Sequence, residues 1–167
     1  MWADIGAHIG TFSILALAYG AKAVVCYEPH PDNCAILRRN MGGHPAKVTS
    51  KAVTFGQEVE MSLYLSNPGV TSTHTLKHVR GRPFIRVTAT TLRKVLNNNR
   101  TVNCVKLDME GAEMEILENC HLLPRRVQVL VVEYSFSSEP SVPKFKEVVA
   151  KLHNIFQNVD HFANALN

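Results

Sequence analysis

Three carboxylates fall within six positions in the run Asp108-Met109-Glu110-Gly111-Ala112-Glu113. Glu110 and Glu113 stand three apart and share a face if a helix begins there, while Asp108 precedes it at the end of an apolar run. Carboxylates clustered in this way can orient and deprotonate a hydroxyl, or hold a divalent cation. Their plainer use is at a helix N-terminus, where each contributes about 0.3–1 kcal/mol. Lys106 either pairs with these acids or meets a substrate, and an exposed lysine is the more ordinary outcome. A second group is Asp4-Ile5-Gly6-Ala7-His8-Ile9-Gly10, an acid and two glycines placed for a turn between a strand and a helix. Gly6 permits a tight turn close to a ligand, and Gly10 permits close helix packing. The spacing is Gly-x-x-x-Gly, so the dinucleotide pattern Gly-x-Gly-x-x-Gly is absent. Asp4 would repel a pyrophosphate and favour a ligand with a sulfonium and an ammonium group. Glu28, 18 positions after Gly10, is spaced to accept hydrogen bonds from a ribose. Its structural alternative is a helix-start charge before Pro29 and Pro31.

These groups need elements that bring them together. The segment 11–19 carries Phe12, Ile14, Leu15, Leu17 and Ala18 on one broad face before Gly20, which predicts a helix. Residues 22–28 contain a continuous apolar run, expected of a strand covered on both faces. Pro31 suits the first turn of a helix carrying Ile36 and Leu37 and ending near Gly42-Gly43. Residues 46–53 read as a third strand, and 60–65 and 84–89 as added strands flanking a loop at 67–83. A short helix at 91–97, a strand at 102–108, a helix at 112–119 and a strand at 127–134 follow. Phe145, Val148, Val149 and Leu152 then mark an amphipathic helix after Pro143. This alternation predicts an open α/β Rossmann-like sandwich, a largely parallel sheet with helices on both faces. Its ligands bind outside the carboxyl ends of the strands, where all three groups fall.

Composition narrows the function classes. With 167 residues, 46% hydrophobic and 19% charged, the chain suits one globular domain over 1–167 and is not a disordered chain. Its apolar runs fall far short of the ~20 residues of a membrane span. Eighteen Lys and Arg against 14 Asp and Glu give a formal charge of +4, dispersed along the chain, which requires no nucleic-acid partner. Cys26, Cys34, Cys104 and Cys120 lack a Cys-x-x-Cys pair and read as reduced core thiols. With no basic, apolar leader at Met1-Trp2-Ala3, this favours the cytoplasm. His74-x-x-x-His78 has metal-ligand spacing only if helical, and its region reads as loop. Arg80, Arg82 and Arg86 could receive an anionic acceptor on charge alone.

In combination the chain resembles the FkbM-type family of S-adenosylmethionine-dependent methyltransferases. The resemblance rests on residues 4–10, on Glu28-Pro29-His30-Pro31 with Asn40 beyond, on residues 106–113, and on Val131-Val132-Glu133. It implies a class I methyltransferase fold in which Asp4, Gly6, Ala7 and Gly10 line S-adenosylmethionine and Glu28 binds its ribose. Asp108, Glu110 and Glu113 would shape the reacting end, with Asp108 facing the acceptor. It also implies O-methylation of a hydroxyl on a sugar or secondary metabolite, hence a small-molecule or glycan acceptor. A carboxylate is a weak base for such a hydroxyl, so partial desolvation, a late proton transfer or a metal would have to assist. His8 stands where the family more often has Asn, and Leu92-Arg93 where Leu-Asp is common. Only Met1 to Asp4 stand where ~5–6 strand residues are expected, so an N-terminally truncated domain of a longer chain is anticipated. A noncatalytic binding domain on the same sheet is the alternative, with a nucleotide-dependent oxidoreductase behind it. Asn67-Pro68-Gly69 lacks the Asn-Pro-Pro-aromatic motif of DNA amino-methylating enzymes, which again argues against nucleic acid.

Overall fold

A computed structural model describes residues 1–57, 59–66, 74–109, 113–133 and 141–160. Five parallel strands form the main sheet: β1 (Trp2–Ile5), β2 (Val24–Tyr27), β3 (Ala46–Thr49), β7 (Cys104–Leu107) and β8 (Val129–Val132). Their order is β3-β2-β1-β7-β8. The chain therefore builds outward from β1 on one side, then returns to build on the other. That reversal puts the crevice for a ligand between the carboxyl ends of β1 and β7.

Strand alternation divides the core into two layers. Ala3, Ile5, Val25, Tyr27, Val105 and Leu107 face one side, against Val95 and Leu96 of helix α3 (Leu92–Asn98) and Ile116 of α4 (Glu113–Glu118). Val24 and Cys26 face the other, against Ala16 of α1 (Thr11–Ala18) and Leu37 of α2 (Pro31–Asn40). Pro31 takes the first helical position of α2, where its missing N–H costs nothing. Thr91 caps α3 by accepting from Lys94 N. The last helix, α5 (Ser141–His153), buries Val148 and half-buries Phe145, Val149 and Leu152 as their spacing predicts. Among the described residues no helix is long and apolar enough to cross a membrane.

Two expectations are corrected. The stretch 46–53 is not one strand. β3 ends at Thr49, and after Ser50-Lys51 the chain enters β4 (Ala52–Thr54) in a second sheet. That sheet has the order β4-β6-β5, with β5 (Glu60–Tyr64) antiparallel and β4 parallel to β6 (Phe84–Thr91). The break turns the chain off the main sheet and lets the smaller sheet overhang the crevice. The inward face of α1 also differs from the apolar pattern. Ser13 and Ala16 are buried, while Leu15 is 50% exposed and Ile14 38%. The cause is polar: Ser13 turns inward and its hydroxyl donates to Asp4 Oδ2 at 2.6 Å.

All four cysteines are buried and free. Burial pushes the Cys26 and Cys104 thiols up to about 11.

Candidate active site

The carboxyl ends of β1, β2 and β7 surround a cavity of about 300 Å³, within the range of small-molecule sites. Gly6, His8, Tyr27, Glu28, Asn33, Lys51, Asp108 and Glu133 supply its polar lining. Leu63, His74 and Leu76 reach it from the smaller sheet and its flank.

Glu28 is the best-defined group. It follows β2 and is buried, at 6% exposure. His8 N donates to Oε2 and His30 N to Oε1, both at 2.9 Å. Burial pushes its pKa above the usual carboxylate value, a shift that these two N–H groups, Asn33 and Lys106 only oppose. His8 reaches Glu28 because it adopts φ 50°, unusual for a residue with a side chain. Gly6 N and Ala7 N both donate to Tyr27 O, so the first loop is tied to the end of β2. Asn40 Nδ2 donates to Ile9 O at 2.8 Å and braces the same loop from α2.

Gly6 is required for a geometric reason. At φ +75° a Cβ here would lie 1.6 Å from Asp108 O, so the two loops cross where only glycine fits.

Behind the loop, Asp4 is fully buried. Lys106, on the neighbouring strand in register with Asp4, brings its ammonium within 3.3 Å of Asp4 Oδ1 and 3.0 Å of Asp108 Oδ2. It also donates to Gly6 O at 2.9 Å and lies 5.8 Å from the Phe12 ring centroid. Burial disfavours its charge, but Asp4 and Asp108 outweigh burial and raise its pKa. Lys106 is thus a buried link between both loops and not the exposed lysine that is more ordinary. The signal for this was available: Lys106 stands two residues before Asp108, and the parallel pairing of β1 with β7 sets it beside Asp4.

The sequence-selected residues therefore separate into two ranks. Gly6, Glu28 and Asp108 line the cavity. Asp4, Ala7 and Gly10 are not among its lining residues; Ala7 is buried, and Gly10 packs on Leu37 and Met41. Glu113 is also buried, and its carboxylate accepts from Met109 N, the residue after Asp108. Glu110 lies outside the described residues. His74 and His78 diverge: His74 stacks on His30 with centroids 4.3 Å apart, and His78 packs edge-on to Tyr64. Among the described residues no group of three His, Cys, Asp or Glu side chains is arranged to hold a metal ion.

Lys51 and Leu63, which no motif selected, come to the cavity from the smaller sheet and its links, as does His74, which the sequence offered only as half of a His-x-x-x-His pair. Tertiary packing alone places them there. His74 Nδ1 accepts from Ser66 N at 3.0 Å, and burial, with His30, His8 and Arg82 nearby, lowers its pKa.

A parallel sheet of this order, with an acid after β2 and an acidic turn after β7, defines the class: a Rossmann-like methyltransferase fold. The chain belongs to the methyltransferase FkbM domain family, whose model matches residues 4–158. No curated protein gives a significant match to the chain.

Proposed function

We propose that this domain transfers a methyl group from S-adenosylmethionine to a hydroxyl oxygen of a sugar or small metabolite. The observation that carries the reading is Glu28: a desolvated carboxylate, held by one backbone N–H at each oxygen, in the wall of a cavity whose other end holds Asp108. Asn33 also bonds to this carboxylate, and of its roughly four acceptor positions those left over can take a ribose hydroxyl. The donor set thus fits a nucleoside. When bound, the cofactor supplies an electrophilic methyl on a sulfonium.

The chain's own residues align the partners and move one proton. Gly6 lets the backbone approach the cofactor, while Ala7 and Gly10 shape that loop. Asp4 acts through Lys106, which grips Asp108 Oδ2 and leaves Oδ1 to accept the proton of the acceptor hydroxyl. Glu113 holds the Met109 backbone, and Glu110 is proposed for the same reacting end by its place beside Asp108 in the chain.

The test is transfer of a labelled methyl group to a panel of glycosides and hydroxylated metabolites by wild type and Asp108→Asn. Loss of a general base lowers turnover by about 10²–10⁴-fold while cofactor binding stays. Undiminished turnover by Asp108→Asn would remove Asp108 from the chemistry.

A further inference from the structure

The order of strands arranges the cavity as a line. Glu28 follows β2, Gly6 follows β1, Asp108 follows β7 and Glu133 follows β8, with Glu133 N donating to Leu107 O at 3.0 Å. Adjacent strands lie about 4.8 Å apart, so Asp108 stands about 10 Å from the ribose-binding end and Glu133 one strand further. If the nucleoside lies over β2, the acceptor enters over β7 and β8.

Charge at that end is one-sided. Lys106 spends its single positive charge between Asp4 and Asp108, leaving one net negative charge, to which Glu133 adds a second. Glu133 is exposed, and among the described residues its carboxylate has no hydrogen-bond or ion-pair partner. Lys51 lines the cavity beyond Glu28, at the β3–β4 link and away from β8. Arg80, Arg82 and Arg86 are not among the lining residues, and the Arg86 guanidinium lies 5.9 Å from the Phe84 ring centroid. The stretches 67–73, 110–112 and 134–140 contain Glu110 and Glu139 but no lysine or arginine.

Resting on the methyltransferase reading, we infer that Glu133 is a second acceptor-facing carboxylate and that the site selects uncharged or cationic hydroxyl compounds, such as neutral or amino sugars, over phosphorylated or carboxylated ones. A phosphate or carboxylate near the reacting hydroxyl would meet two like charges in a partly desolvated cleft. An ammonium there would be attracted by the same pair.

Cofactor analogues read this potential without a known acceptor. Sinefungin carries an ammonium where the methyl would meet the acceptor, and S-adenosylhomocysteine carries nothing there. Calorimetry on wild type, Glu133→Gln and Glu133→Lys compares the two. Sinefungin is expected to bind wild type about 10-fold or more tighter than S-adenosylhomocysteine, with that advantage shrinking stepwise through Gln to Lys. S-adenosylhomocysteine affinity stays within about 2-fold across the three proteins, which verifies their folding. An equal advantage in all three proteins overturns the inference and leaves the cofactor assignment standing. Failure of both analogues to bind folded wild type overturns the cofactor assignment and this inference with it.

Discussion

Lys106 and Asp108 form an ion pair of 3.0 Å at the carboxyl edge of β7, and Asp4, buried behind them, completes it. The pair joins a stability problem to a functional one. Asp4 is tolerated in the core because Ser13 donates to its Oδ2 and the Lys106 ammonium pairs with its Oδ1, which has no other partner among the described residues, and the same ammonium holds the acceptor-facing acid in place.

Replacing Lys106 with Met should therefore destabilise the fold by about 3–5 kcal/mol, since it leaves a buried charge without its partner. Adding Asp4→Asn should restore a large part of that loss. Urea unfolding of the single and double variants measures both, and a Lys106→Met loss under about 1 kcal/mol would contradict the pairing.

The two glycines of the first loop should differ in tolerance. Gly6→Ala drives a Cβ into the Asp108 carbonyl, a backbone group that cannot step aside, so β1 and β7 must separate. Gly10→Ala meets only side chains, Leu37 Cδ1 at 2.7 Å and Met41 Sδ at 3.5 Å, besides the left-handed strain of about 1–2 kcal/mol. Gly10→Ala should give a folded, weakened protein, and Gly6→Ala one that fails to accumulate or has lost the cavity. Thermal unfolding of soluble protein separates them.

Much of this was legible because the sheet concentrates chemistry at strand ends. Apolar runs and glycines mark where β1, β2 and β7 stop, so Gly6, Glu28 and Asp108 could be selected by position. The split of 46–53 was not read from the sequence: Ser50-Lys51 interrupts two short strand-like runs only weakly, and the pairing of Ala52 with Ala89 shows that a new sheet has begun. His74 was noticed only for its spacing from His78, because its stacking on His30 at the start of α2 is a contact between segments far apart in the chain. Ser13 was hidden by apolar neighbours on α1, where a buried aspartate mattered more than periodicity.

The raised pKa of Glu28 gives opposite pH trends for stability and binding. The folded state retains a proton that the unfolded state has already lost, so this group's contribution to stability is full below the ordinary carboxylate value. That contribution is lost as pH rises through the folded value. Glu28→Gln should thus gain on wild type in urea unfolding as pH rises from about 4 to 7. Ribose binding needs the ionised carboxylate, so S-adenosylhomocysteine affinity in wild type should rise across the same window.

Cys26 and Cys104 should resist thiol reagents. Both are buried, and with thiols held near 11 almost no thiolate exists at neutral pH. Labelling should follow unfolding, and fast labelling of either under native conditions would place it at the surface.

Whether Glu28 marks a cofactor site is decided by calorimetry with S-adenosylmethionine and S-adenosylhomocysteine on wild type and Glu28→Ala, and with NAD as control. Wild type is expected to bind both ligands at micromolar affinity and NAD not at all, and the substitution to cost about 1–3 kcal/mol. Binding that survives Glu28→Ala unchanged, or a folded wild type that binds neither ligand, would contradict the cofactor assignment.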